Sequence, residues 1–145
     1  MDVLKAGKYL WSPKFTYMNY KCVIIDDSSV HRLAISLLIK NHPQLDLVGA
    51  YSNPYEGIKT IYQENIDLVF LDVLLEDVDS FELLDQIEVP ATIIMNSSWN
   101  TFSKKALQYD IQHFLDKPIR KQEFDSQIRQ VLNVLENKKI TSSIL

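Results

Sequence analysis

Apolar runs and amphipathic stretches take turns along most of the chain. CVIID, 22–26, is β-branched and apolar up to its last residue and reads as a buried strand. Ser28 suits a helix N-cap, and Val30, Leu33, Ala34, Leu37 and Leu38 follow at helical spacing. LDLVGAY, 45–51, is a second strand. Asn53, Pro54 and Glu56 then mark a helix start as cap, first-turn proline and capping-box acid, with Tyr55, Ile58, Ile61 and Tyr62 as the apolar stripe. DLVFLD, 67–72, is a third strand, and a short helix near 80–87 carries Phe81, Leu84 and Ile87. ATIIMN, 91–96, is a fourth strand, followed by a weakly amphipathic helix over about 100–109. QHFLD, 112–116, is a short fifth strand, and the last helix sets Phe124, Ile128, Val131, Leu132 and Leu135 on one face. Strand and helix alternating in this way predict an α/β fold, a parallel sheet with helices on both faces. Strands one and three, apolar nearly throughout, belong at its centre.

The ends do not continue this pattern. Residues 1–19 show no sustained period and read as a tail or arm, with Met18 a candidate natural start. The repeating unit occupies 20–137, and KKITSSIL, 138–145, reads as a tail or the start of a linker. A length of 145 residues suits one domain with a real core. The formal net charge of −4 argues against binding nucleic acid through the overall field. Neither a membrane span nor a signal-peptide pattern is legible. The one cysteine, Cys22, reads as a buried strand residue, in keeping with a reducing cytoplasm. His31, His42 and His113 lack metal-ligand spacing and read as structural.

The chemistry lies where the apolar runs stop. Strand one ends in Asp26 and Asp27, and strand three ends in Asp72. In a doubly wound sheet, ligands bind beyond the carboxyl ends of the strands, so these carboxylates should converge. Like charges at the edge of a core need a partner. A hard divalent cation such as Mg²⁺ is one solution, and a lysine is another, with Lys117 just after strand five placed to reach the pocket. A carboxylate beside both can accept a phosphoryl group, and Ser97 would add a hydroxyl at the end of strand four.

The motifs VIIDDS, LVFLDV, IIMNSS and FLDKPI together resemble those of response-regulator receiver domains, the aspartate-phosphorylated modules of two-component signalling, over roughly 20–137. The resemblance implies a flavodoxin-like fold with strand order 2-1-3-4-5. It implies Asp72 as phosphoacceptor, Asp27 as direct Mg²⁺ ligand, Asp26 acting mainly through a bound water, and the Leu74 main-chain carbonyl as a further ligand. Ser97 matches the switch hydroxyl, Phe114 the switch aromatic, and Lys117 the phosphate-contacting lysine, with a cis Lys117–Pro118 bond. The implied partners are a sensor histidine kinase or phosphotransfer protein, and a second copy through the face of the fourth helix, fifth strand and fifth helix, near Lys104, Lys105, Arg120 and Lys121. The spacing from Ser97 to Ile119 is most similar to receivers that precede a LytTR-type DNA-binding domain, which this chain does not contain. The cut-linker look of 138–145 favours a fragment over a stand-alone receiver.

The sequence also departs from the family pattern. After the phosphoacceptor the family often reads MPDMDG, where this chain reads LEDVDS, with Glu76 for proline and Ser80 for glycine. Phe114 lacks the hydroxyl of the commoner tyrosine, and Ser97 replaces the commoner threonine. Leu74 and Trp99 are bulky at positions that influence hydrolysis in the family, and are expected to shield the phosphoryl bond and lengthen its life. An aspartyl-phosphate phosphatase would carry an acid two residues after the nucleophile, where Leu74 stands. A flavin carrier is disfavoured by the acidic, glycine-free DDSSVH turn. The alternative that stays open is a pseudo-receiver, a phosphorylation-independent interaction module.

Overall fold

The computed structural model describes residues 19–75, 77–97 and 103–144. Among the described residues, five strands alternate with five helices: β1 Tyr20–Ile25, α1 Ser29–Lys40, β2 Leu45–Tyr51, α2 Pro54–Gln63, β3 Leu68–Asp72, α3 Ser80–Gln86, β4 Thr92–Ser97, α4 Ser103–Leu107, β5 His113–Asp116 and α5 Lys121–Ile144. The strands form one parallel sheet in the order β2-β1-β3-β4-β5. This is the flavodoxin-like arrangement expected from the sequence, with β1 and β3 interior. Residues 1–18, Glu76 and Trp99 lie outside the described residues.

Strand alternation divides the core in two. Cys22, Ile24, Leu68, Phe70, Ile94 and Leu115 face α1 and α5, where Phe70 stacks on Phe124 with ring centroids 5.8 Å apart. Val23, Ile25, Val69, Leu71 and Met95 face the other way, against Ile58, Ile61, Phe81 and Ala106. Central strands buried on both faces explain why the sequence shows continuous apolar runs there. Cys22 is a free, buried strand thiol.

The helix starts follow the capping chemistry. The Ser28 side chain accepts from the His31 N–H, Asn53 accepts from Tyr55 and Glu56, and Asp79 accepts from Phe81. Two apolar stripes differ from the sequence reading. On α1 the buried residues are Ile35, Ser36 and Ile39, whereas Val30, Leu33 and Leu37 are exposed. The buried flank packs Ile35 and Ile39 against the layer of Ile24 and Phe124, and Arg32 Nη1 donates to the Asp26 carbonyl at 2.8 Å. On α2, Ile58 and Ile61 are buried while Tyr55 and Tyr62 are exposed, with the Tyr62 hydroxyl donating to the Glu88 carbonyl. Within the described residues α4 is shorter than the expected span, running from Ser103 to Leu107. Residues 138–144 continue α5, and Lys139 Nζ sits 4.6 Å from the centre of the buried Tyr20 ring.

One close approach sets the end of β1. A Cβ on Gly57 would lie 2.6 Å from Ile25 Cγ1 and Cδ1, so α2 touches β1 where only a hydrogen fits. In a free helix Gly→Ala stabilises, but here the added methyl displaces the residue directly before Asp26. Gly57→Ala is therefore expected to lower the unfolding free energy by about 1–3 kcal/mol in a urea titration. A stabilised variant would show that Ile25 gives way freely.

Candidate functional site

The site lies at the carboxyl ends of β1, β3 and β5. Asp26 directly follows β1, and its N–H donates to the Tyr51 carbonyl at 3.0 Å. Its Oδ1 accepts from the Ser28 N–H at 2.9 Å, so the turn that starts α1 also orients this carboxylate. Asp26 is wholly buried and Asp72, the last residue of β3, is 5% exposed. Asp27 is half-buried. One oxygen from each of Asp26, Asp27 and Asp72 lies within 4.8 Å of the others. The sequence reading brought these three together, and the structure places them together.

Lys117 closes the cluster. Its ammonium lies 3.2 Å from Asp72 Oδ2 and 3.3 Å from Asp26 Oδ2. The second contact lacks hydrogen-bond geometry, so among the described residues Asp26 Oδ2 has charge compensation but no hydrogen-bond donor. A buried oxygen of this kind, facing two more carboxylates, suits a hard cation. One cation among three carboxylates leaves the balance unfavourable. Burial, then the Asp26 charge, push the Asp72 carboxyl up to about 6, with Asp27 adding to the effect and Lys117 opposing it.

The remaining expected residues take separate positions. Ser97 ends β4, and its carbonyl accepts the Lys117 N–H at 3.0 Å. Strand alternation puts Ser97 on the face of Met95 and Phe114, opposite Asp72. Phe114 is a partly buried member of that layer. Leu74 is 53% exposed and forms an isolated bridge with Asp79, which closes the loop after β3. The Lys117–Pro118 bond is cis. Lys104, Lys105, Arg120 and Lys121 are exposed, and Lys105 lies over the Phe81 ring.

Four residues that sequence reasoning did not assign here also border the site. The Ser80 hydroxyl, buried where glycine is usual, donates to the Asp72 carbonyl. Arg32 holds the Asp26 carbonyl. His31, buried on one side, is driven toward its neutral form by desolvation and by Lys117, against the pull of Asp26. Asn96 is in register with Asp72 and wholly buried. A polar residue ending an apolar strand was the available signal for Asn96, whereas Arg32 and His31 lie on a helix whose buried face the sequence left ambiguous.

A family model, "Response regulator receiver domain", matches residues 22–129. The chain belongs to the response regulator receiver family. It is 31% identical over 122 residues to the protein-glutamate methylesterase/protein-glutamine glutaminase 2 of Nitratidesulfovibrio vulgaris, across 80% of this chain and 33% of that protein. It is 25% identical to the transcriptional regulatory protein YpdB of Escherichia coli K12, across 80% of this chain and 47% of that one. The receiver therefore spans half or less of these curated relatives. Among solved structures, the signal receiver domain of a putative Luxo repressor protein from Vibrio parahaemolyticus superposes with a TM-score of 0.74 at 19% identity, covering 86% of this chain and 98% of that one. The response regulatory domain of mrkE from Klebsiella pneumoniae gives 0.70 at 19% identity, covering 81% and 98%. These likenesses show the fold.

The Asp72 environment gives this receiver a specific pH signature. The folded chain keeps the Asp72 proton to about 6, whereas the unfolded chain releases it near 3.8. The fold binds more protons in that window, so this group's contribution to stability falls as pH rises through it and is lowest above it. In chelator, Asp72→Asn should raise Tm by about 3–5 °C at pH 7 and leave it almost unchanged at pH 4. A difference that is constant with pH would remove this account of the site.

Proposed function

We propose that this receiver accepts a phosphoryl group on Asp72 and uses it to change a binding surface. The observation that carries this reading is the convergence of Asp26, Asp27 and Asp72 under the Lys117 ammonium at adjacent strand ends. A phosphohistidine on a sensor kinase or phosphotransfer protein is the proposed donor. An Asp72 carboxylate oxygen attacks phosphorus, the O–P bond forms, the N–P bond breaks, and the electron pair returns to the imidazole. Asp26, Asp27, Asp72 and the Leu74 main-chain carbonyl are the proposed ligands of Mg²⁺, which when bound neutralises charge on the transferring oxygens.

The chain's own residues do the rest. Lys117, already at Asp72 Oδ2, is placed to pair with a phosphoryl oxygen. Ser97 and Phe114 share one face of the sheet, so a turn of the Ser97 hydroxyl toward the phosphoryl group would alter the packing of Phe114. The face of α4, β5 and α5 is the proposed output surface, for a second copy or for an output domain such as a DNA-binding one. The exposed Val30, Leu33 and Leu37 on α1 offer a phosphodonor an apolar contact beside the site. No described helix is long and apolar enough to cross a membrane. A role in cytoplasmic signalling, with no separate enzymatic activity in this domain, fits these features.

Incubation with acetyl phosphate and Mg²⁺ is expected to add a single phosphoryl group by intact mass, absent in Asp72→Ala and in chelator. Leu74→Asn should shorten the half-life of the adduct several-fold by opening a polar path for water. A folded protein that gains no adduct from acetyl phosphate or from a histidine kinase would return the pseudo-receiver reading. An unchanged half-life would dismiss the shielding role of Leu74.

A further inference from the structure

We propose that Asn96 is a positioning residue for Lys117, its Oδ1 accepting the ammonium once Asp72 no longer holds it. The starting point is an orphan. Asn96 is wholly buried, and among the described residues neither its Oδ1 nor its Nδ2 has a hydrogen-bond partner. A buried carboxamide without partners is costly, and an apolar residue would remove that cost. Ile94, two residues earlier on the same face, is such a residue.

The sheet register shows what this amide faces. Asn96 pairs with Asp72 of β3 on one side and Leu115 of β5 on the other. Phe70, Ile94 and Leu115 all point into the layer beneath α1 and α5, so strand alternation turns Asp72 and Asn96 to that layer as well. Lys117 follows Leu115 by two residues and reaches Asp72 Oδ2 at 3.2 Å. Because β4 lies between β5 and β3, the lysine side chain must cross the end of β4 to get there, over Asn96. The ammonium is shared between Asp72 Oδ2 at 3.2 Å and Asp26 Oδ2 at 3.3 Å, so loss of the Asp72 charge removes one of its two anchors. When Asp72 is neutralised, the ammonium keeps Asp26 Oδ2, and with three N–H donors it can also serve the neutral acceptor under its path, Asn96 Oδ1. The unmet amide thus disfavours the resting arrangement, and its Oδ1 gains a donor in the other one.

The inference needs only the Lys117–Asp72 pair, so its test runs in chelator without a phosphodonor and stands apart from phosphoryl acceptance. Thermal melts would compare wild type, Asn96→Val, Asp72→Ala and the double variant. Asn96→Val should raise Tm in the wild-type background and lower it by about 3–5 °C in the Asp72→Ala background. Asn96→Thr, which matches valine in shape and keeps a hydroxyl acceptor, should recover at least half of that loss. With Lys117→Met added, the loss should vanish. Should Asp72→Ala fail to fold, Asp72→Asn supplies the neutralised anchor, with the same sign expected. A Tm change of one sign in both backgrounds, or a loss that persists with Lys117→Met, would overturn the proposal and reduce Asn96 to a tolerated polar core residue.

Discussion

The site depends on one unbalanced meeting of charges: two buried carboxylates, Asp26 and Asp72, share the single ammonium of Lys117. Burial penalises each charge, and the carboxylates repel each other more than one lysine can offset, which is why Asp72 holds its proton so far above the ordinary range. Everything around the cluster serves to keep it assembled. The Ser28 N–H of the β1–α1 turn holds Asp26, Arg32 ties its carbonyl, and Ser80 ties the carbonyl of Asp72. These bonds lie at strand ends, where the sheet fixes position but leaves polar groups to be satisfied.

Much of this was legible before any coordinates, because the signals sit on rigid elements. A buried parallel strand reads as an apolar run, so the aspartates that end such runs stand out, and the topology brings those ends to one edge. Lys117 was legible for the same reason, and Asn53 and Ser28 announced their helices through capping chemistry. The failures share a cause too. On α1 two apolar stripes compete, and what distinguishes Ile35 and Ile39 from Val30, Leu33 and Leu37 is their tertiary tie to the layer of Ile24 and Phe124. Periodicity alone carries no information about that tie. Ser80 was visible only as a departure from the family pattern, and the bond its hydroxyl supplies, which glycine could not, needed the fold to show it.

The departures from the family pattern thus have a physical direction. Where glycine is usual, Ser80 adds a donor to the main chain of Asp72 and so ties the two ends of the loop together. Phe114 leaves the opposite layer of the sheet without a hydroxyl at that position, so packing rather than hydrogen bonding must carry any signal through it. Leu74, two residues after Asp72, is an exposed hydrocarbon side chain.

β4 is where these threads meet. Its last two residues point to opposite faces of the sheet, Asn96 toward the layer of Lys117 and Asp72, and Ser97 toward the layer of Met95 and Phe114. Neither residue is needed to form the strand, which Ile93, Ile94 and Met95 already secure by packing. Both are polar groups at the end of an apolar run, beside the one carboxylate whose charge is poorly balanced. On the roles proposed for Asn96 and Ser97, a change of charge at Asp72 would act on two adjacent side chains of one strand, each belonging to a different helical layer. A single neutralised carboxylate can in this way reach both sides of the sheet without any strand having to move, because the alternation of side chains along β4 already divides the response between them.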